Sequence, residues 1–457
     1  MARTPKNYEI EMTEGPILGK MLAFSLPLML SSILQLLFGA VNLAVIGNFS
    51  GKVSVAAVGS TGSLVALITN VFIGLSVGAN VVAAKCYGAR QEAELNRTVH
   101  TAMLLSFVSG AILTLVGVLG ARLFLSWMNT PDDVIGLASV YLRVYFLGIT
   151  ASMVYNFGSA VLRAIGDTRR PLYYLLIAGV LNVLLNLLFV LAFKMDVAGV
   201  ALATAISQTV AAALVVTCLV RTSGALHLDL RRMRIDRAIF VEILKVGLPA
   251  GFQGTLFSVS NVLIQSSINA YDSTVMAGNS AASQIESFVY VSMNAFYQAA
   301  ISFTSQNYGA RLFGRIRKIL LCSLACVFAV GIALGYLAVL FGEPLLNIYV
   351  KGEPEVIAAG LERLAYVGRL YILCGVMEVM VGMLRGIGYS ILPMIVSLFG
   401  SCVLRILWVV FVAPSFGDIS GIYVSYPISW GITFLAHVGC YLWAIRRVRR
   451  SLEPAPA

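Results

Sequence analysis

The chain has 457 residues, of which 59% are hydrophobic and only 12% are charged. Soluble domains carry roughly 25% charged residues, so this composition excludes an ordinary soluble protein and indicates a membrane protein. The formal net charge is +11, but the basic residues punctuate apolar runs and do not cluster, so we expect the lipid bilayer and no nucleic acid as the partner.

Twelve apolar runs follow one another along the chain. Each has roughly 20 or more residues, the length that a helix needs to cross a hydrocarbon core of about 30 Å. Run lengths favour helices over barrel strands, which need only about 10 residues and alternate with period two. The predicted spans are 17–47, 54–83, 98–126, 134–161, 171–193, 197–220, 239–269, 275–306, 319–342, 358–384, 391–414 and 420–445.

A polar, arginine-rich segment at 221–238 divides these spans into two sets of six. We therefore predict an N-lobe over 17–220 and a C-lobe over 239–445, with tails at 1–16 and 446–457. With both tails in the cytoplasm, 24 of the 32 lysines and arginines lie on the cytoplasmic side. The positive-inside rule then predicts a multi-pass protein of the cell's inner membrane with both termini cytoplasmic.

Short motifs recur in the two halves at a nearly constant distance of 221 or 222 residues, which identifies an internal duplication. An even number of spans per repeat relates the halves by a pseudo-two-fold axis along the membrane normal. The predicted fold class is thus an all-α polytopic membrane protein with twelve transmembrane helices in two six-helix lobes. The matching motifs are Leu26-Pro27 with Leu248-Pro249, Tyr87-Gly88-Ala89-Arg90 with Tyr308-Gly309-Ala310-Arg311, and Leu162-Arg163-Ala164-Ile165-Gly166 with Leu384-Arg385-Gly386-Ile387-Gly388.

In their order and spacing, these motifs resemble the multidrug and toxic compound extrusion (MATE) family over nearly the whole chain. The resemblance implies a secondary active antiporter that exports organic, often cationic, compounds in exchange for inward protons or sodium ions by alternating access. We expect an amphipathic or cationic small molecule as the substrate, a monomer, no catalytic residues, and no cofactor or bound metal beyond the transported ion. We also expect Pro27 and Pro249 to bend spans one and seven.

Two other functions remain open. A lipid-linked-precursor flippase from a related superfamily branch would share the duplicated architecture, but we expect a more cationic interior for it than Arg405 alone supplies. A membrane-embedded enzyme would need a cluster of acidic, basic or metal-binding residues, and the predicted spans contain no such cluster. Both are therefore weaker hypotheses than an antiporter.

Three charged residues lie deep in predicted C-lobe spans: Glu286, Glu378 and Arg405. Each costs roughly 2.5–3.5 kcal/mol at mid-membrane, so we assign them to ion coupling. Glu378 and Arg405 lie about 15 Å and 21 Å from the same membrane face, so we predict an ion pair that shapes the site. Glu286 then remains isolated and is the better proton carrier, whereas Arg363 is counted near the outer surface. Alternatively, the pair only locks spans ten and eleven together.

The N-lobe spans contain amides and a hydroxyl in place of charges: Asn42, Asn182, Asn186 and Thr204. Asn182 and Asn186 are four residues apart and share a helix face, which suits oxygens aimed at one cation or substrate. In the family that this chain resembles, many members have an aspartate at the position of Asn42 and often another at that of Asn186. The amides here remove that charge, so sodium coordination and simple helix packing both remain open.

Further polar and aromatic residues are candidates to line a substrate cleft. Aromatic rings can stack on flat cationic compounds, although packing explains such residues equally well. The predicted set is Gln35, Gln253, Gln284, Tyr141, Phe288 and Trp430.

Overall fold

A computed structural model describes residues 8–128 and 130–450 of the chain. The predictions for residues 1–7 and 451–457, which form parts of the two tails, lie outside the described residues, as does position 129. Within the described ranges the regular secondary structure is entirely helical, which confirms the predicted fold class.

The first half of the described chain forms helices α1 to α7, and the second half forms α8 to α16. Several helices continue into short π-helical or 3₁₀ turns. The helices are α1 Ile17–Phe49, α2 Lys52–Gly88, α3 Glu92–Trp127, α4 Asp132–Leu147, α5 Ile149–Ala164, α6 Arg169–Leu187, α7 Asp196–Arg221, α8 Arg237–Ile268, α9 Ser273–Gly309, α10 Phe313–Leu340, α11 Gly342–Tyr349, α12 Pro354–Arg363, α13 Ile372–Gly386, α14 Ile391–Ser397, α15 Leu404–Leu407 and α16 Ser420–Arg450.

The helices account for the predicted spans. Among the described residues, nine helical stretches are long and apolar enough to cross a membrane, and two bent helix pairs bring the number to 11. The remaining predicted span, 275–306, is covered by the continuous 37-residue helix α9. Polar side chains such as Asn279 and Glu286 lower the hydropathy of α9, as expected for a helix whose polar groups face protein and not lipid.

Two of the predicted spans, 134–161 and 358–384, are bent helix pairs in the structure. The helices α4 and α5 meet at 45° around Gly148, and α12 with its π turn meets α13 at 42°. The two breaks occupy equivalent repeat positions. At the first, a β-carbon on Gly148 would overlap the side chain of Ala205 in α7, so close packing explains the glycine.

The chain divides into two compact units that interleave along the sequence. One unit contains residues 1–11 and 30–251, and the other contains 12–29 and 252–457. The chain changes unit inside α1 and inside α8, in each case two residues after an in-helix proline, Pro27 or Pro249. The predicted lobes stay a prediction; the compact units differ from them in the placement of the first halves of α1 and α8.

The repeated motifs terminate helices. After α5 and α13, Gly166 and Gly388 have φ of 93° and 89°, a left-handed conformation that glycine adopts without strain. Asp167 N–H donates to the Leu162 carbonyl at 3.0 Å and Tyr389 N–H donates to the Leu384 carbonyl at 2.9 Å, which closes both helix ends in the same way. The motif therefore recurs because both helix ends need the same backbone conformation and the same closing hydrogen bond.

The predicted linker is bound to α3. Asn96 donates from Nδ2 to the carbonyls of Ala225 and His227, at 3.2 and 2.9 Å. At its end, Asp236 accepts hydrogen bonds from Ala238 N–H and Ile239 N–H at the start of α8 and pairs with Arg97. The bond from Ile239, together with those from Ala238 and Arg97, holds the pKa of the Asp236 carboxyl below its usual value. The linker is thus part of a folded unit.

Helices α2 and α8 approach each other through four glycines. A β-carbon on Gly74 would overlap the backbone of Gly251, and one on Gly247 would lie 2.6 Å from Leu75 Cα. Gly78 meets α8 in the same way. Small residues four apart on each of two helices allow such backbone contact and are typical of packed membrane helices.

We predict that Gly74→Ala destabilises the protein, because the added methyl group forces α2 and α8 apart; overpacking of this kind costs about 1–3 kcal/mol. Gly62→Ala in the same helix is the matched control, because a β-carbon there meets no atom within 4 Å. It is expected to be neutral or to stabilise by up to about 1 kcal/mol through helix propensity. Thermal unfolding in detergent measures both variants, and equal melting temperatures would contradict the prediction.

Candidate functional site

A buried ion pair joins Glu286 in α9 to Arg363 at the end of α12. Arg363 donates from Nη2 to Oε2 at 2.7 Å and from Nε to Oε1 at 3.1 Å, so the pair is bidentate. Its Nη1 donates to Asn279 Oδ1 at 2.6 Å. Both side chains of the ion pair are buried. Close packing of α9 on α12 at Gly278 and Gly360 brings the two helices near enough for this contact.

Arg405 lies near Tyr426 and Trp430, and it has no acidic partner among the residues that the structure describes. Its Nε and Nη2 donate to Ser429 Oγ at 3.0 and 2.9 Å. Its guanidinium lies 4.3 Å from the ring centre of Tyr426 and 5.5 Å from that of Trp430. Only 4% of the residue is exposed. The Tyr426 ring also lies 5.4 Å from the Arg363 guanidinium, so it contacts two cations.

Glu378 in α13 is the carboxylate that the fold leaves unpaired. The residue is 9% exposed, and it makes no hydrogen bond or ion pair with any residue that the structure describes. Arg385 lies seven residues further along the same helix face. That arginine is occupied by Tyr297 and by Gln253, whose Oε1 accepts from Nη2 at 2.8 Å. Glu378 is therefore a buried acid that no described residue neutralises through a hydrogen bond or an ion pair.

Two predicted relations between these charges were wrong. Glu378 and Arg405 do not form the predicted ion pair, and Glu286 is not isolated, because Arg363 neutralises it. Depth along straight helices suggested the first pair, but depth does not determine which way a side chain points around the helix axis. Arg363 was counted near the outer surface, yet it is buried on a helix of the bent pair 354–386.

The four predicted N-lobe residues lie together in the first unit. Asn186 donates from Nδ2 to the Oδ1 atoms of both Asn42 and Asn182, the latter at 3.2 Å. Asn182 Nδ2 donates in turn to Thr204 Oγ1 at 3.3 Å. Asn186 is fully buried, and its Oδ1 has no hydrogen-bond partner among the described residues. A buried amide oxygen without a donor is destabilising and marks a place where a ligand can bind.

The predicted cleft residues are divided between the two units. Gln35 and Tyr141 belong to the first unit, and Gln253, Gln284, Phe288 and Trp430 belong to the second. Gln253 and Trp430 contact buried arginines, as described above. Gln35 and Gln284 are exposed, and Tyr141 stacks on Tyr145 with ring centres 6.1 Å apart. A common cleft for the six residues stays a prediction.

The sequence interpretation missed Arg363, Asn279 and Arg385 as members of this buried network. Asn279 and Glu286 are seven residues apart and so share one face of α9, which was a usable signal that a donor lies opposite them. Arg385 was recognised only as part of the repeated motif. It occupies the last turn of α13, and only 4% of it is exposed.

Solved structures share this fold. One is described as MATE in complex with MaL6 and has a TM-score of 0.89; another, with 0.88, is described as the outward-facing conformation of a multidrug resistance MATE family transporter of the MOP superfamily. Each is 22% identical to this chain and covers 98% of it, with 99% of the other chain matched. The likeness establishes an architecture of twelve helices in two lobes.

Duplicated helical spans with charges buried among them define a polytopic membrane transporter. The MatE family model matches residues 27–188 and again residues 249–411, with starts 222 residues apart as the repeat requires. The chain therefore belongs to the MatE family, a family of transporters, not of enzymes, that includes multidrug efflux proteins.

Named relatives agree with this assignment. The chain is 26% identical over 446 residues to the probable multidrug resistance protein YoeA of Bacillus subtilis (strain 168), covering 94% of this chain and 95% of the relative. It is 26% identical to the probable multidrug resistance protein NorM of Thermotoga maritima, with 86% and 85% covered. It is also 24% identical to a protein of Shewanella oneidensis named FAD transporter, with 76% and 77% covered.

We predict that Glu286→Gln and Arg363→Gln each destabilise the protein by about 3–5 kcal/mol, because each leaves one buried charge without its partner. The double variant is expected to lose less than the sum of the two, by about 1–3 kcal/mol. Glu378→Gln is the control, since that carboxylate forms no hydrogen bond or ion pair with any described residue. Unfolding free energies of the four proteins measure the coupling, and strict additivity would contradict a paired role.

Proposed function

We propose that this protein is a secondary active antiporter that exports organic, amphipathic or cationic compounds in exchange for protons, with Glu378 as the coupling group. The observation that carries the proposal is a buried carboxylate without a partner in the second unit. Family membership supports export of organic compounds, and the names of the relatives range from multidrug resistance to FAD transport. We place both termini in the cytoplasm, in accordance with the distribution of basic residues.

The proposed cycle depends on competition at one carboxylate. When Glu378 is ionised, it attracts a cationic substrate; when it binds a proton, that attraction is lost and the substrate leaves. Coupling needs only that proton and substrate exclude each other at this group, or at conformations that it controls. Glu286 has a different role in this proposal: its charge is already neutralised by Arg363, so the pair holds α9 to α12.

We predict that Glu378→Gln abolishes export driven by a proton gradient. Glutamine resembles the protonated acid, so a cationic dye such as rhodamine 123 is expected to bind about tenfold more weakly, as loss of a charged contact implies. In the wild-type protein, affinity for the dye rises with pH as the carboxyl ionises, and in the variant this pH dependence disappears.

The measurements are dye export from liposomes under an imposed proton gradient and equilibrium dye binding across a pH series. Glu355→Gln is the matched control, because it removes an exposed carboxylate from α12 of the same unit. Normal gradient-driven export by Glu378→Gln would refute the role of this residue.

Sodium is the second candidate coupling ion, and the amide cluster of the first unit favours it. Rotating the Asn186 amide by 180° would aim its unpartnered Oδ1 at the oxygens of Asn42 and Asn182, which converge on Asn186 Nδ2. Three oxygens in one place repel each other when empty and suit a small hard cation when occupied. The cation would be cargo of the antiport cycle.

If sodium is the coupling ion, we predict that Asn186→Ala removes the dependence of export on a sodium gradient and leaves the dye affinity unchanged. Asn156→Ala is the matched control, since within the described part of the chain that amide bonds to the Ser152 carbonyl of its own helix and to no other group. Export from liposomes with a sodium gradient and no pH difference measures the effect. Sodium-driven export that survives in Asn186→Ala would exclude the cluster as the sodium site.

A further inference from the structure

We infer that Arg405, together with Tyr426 and Trp430, forms a binding subsite for the carboxylate of an aromatic substrate. The inference rests on the proposed function and extends it, because it adds anionic and zwitterionic compounds to the cationic substrates. The proposed transport cycle uses Glu378, whereas this subsite is built around Arg405.

The first observation is an uncompensated buried charge. Only 4% of Arg405 is exposed, and no carboxylate among the described residues contacts its guanidinium. In the same unit, the equally buried Arg363 has a bidentate acidic partner. This guanidinium is shielded from water and is stabilised by one hydroxyl and two ring faces. It therefore remains able to bind an anion strongly.

The second observation is which part of the guanidinium is free. Nε and Nη2 both donate to Ser429 Oγ, and Ser429 Oγ itself donates to the Tyr426 carbonyl at 2.9 Å. Nη1 has no hydrogen-bond partner among the described residues. The side chain is therefore held in position from one edge and offers its remaining nitrogen, which suits one oxygen of a singly charged group such as a carboxylate.

The third observation is the aromatic surrounding. Trp430 lies edge-to-face with Tyr426 and with Tyr371, at ring-centre distances of 5.6 and 5.0 Å. An inorganic anion gains nothing from such rings, whereas an aromatic body attached to a carboxylate packs against them. The three observations together point to an aromatic carboxylate as the ligand class.

The test compares two dyes that differ at one group. Rhodamine 110 carries a free carboxylate, and rhodamine 123 is its methyl ester. With the purified protein in nanodiscs, Arg405→Gln is expected to weaken rhodamine 110 binding about tenfold or more, as the loss of a charge-assisted hydrogen bond implies, and to leave rhodamine 123 binding unchanged. Arg405→Lys keeps the charge and is expected to retain part of the rhodamine 110 affinity.

Two controls separate this result from other causes. Arg369→Gln removes an exposed arginine from the same unit and is expected to change neither affinity. Retained rhodamine 123 binding by Arg405→Gln shows that the variant is folded. Equal weakening of both dyes, no change for either, or no binding of rhodamine 110 by the wild-type protein would each overturn the inference.

Binding at equilibrium needs no ion gradient, so it is independent of the proposed antiport. If the wild-type protein binds rhodamine 110 through Arg405 but exports no dye under either gradient, the proposed function fails and the carboxylate subsite stands. If export is normal and Arg405→Gln affects both dyes alike, the subsite fails and the antiport stands.

Discussion

Burying a charged side chain among apolar helices costs several kcal/mol unless a hydrogen-bonded partner accompanies it. The second unit buries Glu286, Glu378, Arg363, Arg385 and Arg405, and the bidentate pair of Glu286 with Arg363 removes two of these charges. That pair determines the chemistry of the unit, because it leaves one acid and two bases to be stabilised by neutral groups or by ligands. The transport proposals concern the residues that remain.

The two repeats share backbone features, namely helix ends and helix breaks, but differ in side-chain chemistry. Equivalent glycines end α5 and α13, and equivalent breaks bend two spans, since both depend on backbone conformation that the fold requires twice. Several buried polar groups differ between the repeats. The first unit joins Asn42, Asn182 and Asn186 through neutral amides, whereas Glu286, Glu378 and Arg405 in the second unit carry formal charges. The two proposed sites therefore differ in chemistry, one built of neutral amides and the other of charged groups.

The sequence predicted the fold well because hydropathy and repeat spacing are properties of whole helices. It did not predict the bend at Gly148, where the chain packs closely against Ala205, a contact between residues 57 positions apart. Asn182 and Asn186 were recognisable as neighbours because their spacing of four fixes a shared face. The partner of Glu286 was not, because it depends on how α12 is rotated against α9, and no local pattern records that rotation.

The interleaving of the compact units has a consequence for the origin of this chain. Each unit is completed by a half-helix that comes from the other repeat, and the crossing follows Pro27 in one case and Pro249 in the other. An ancestor of half this length would have had to assemble as a homodimer in which each copy lent the first half of its first helix to its partner. In a single chain that carries both repeats, the same exchange of segments is intramolecular and independent of concentration.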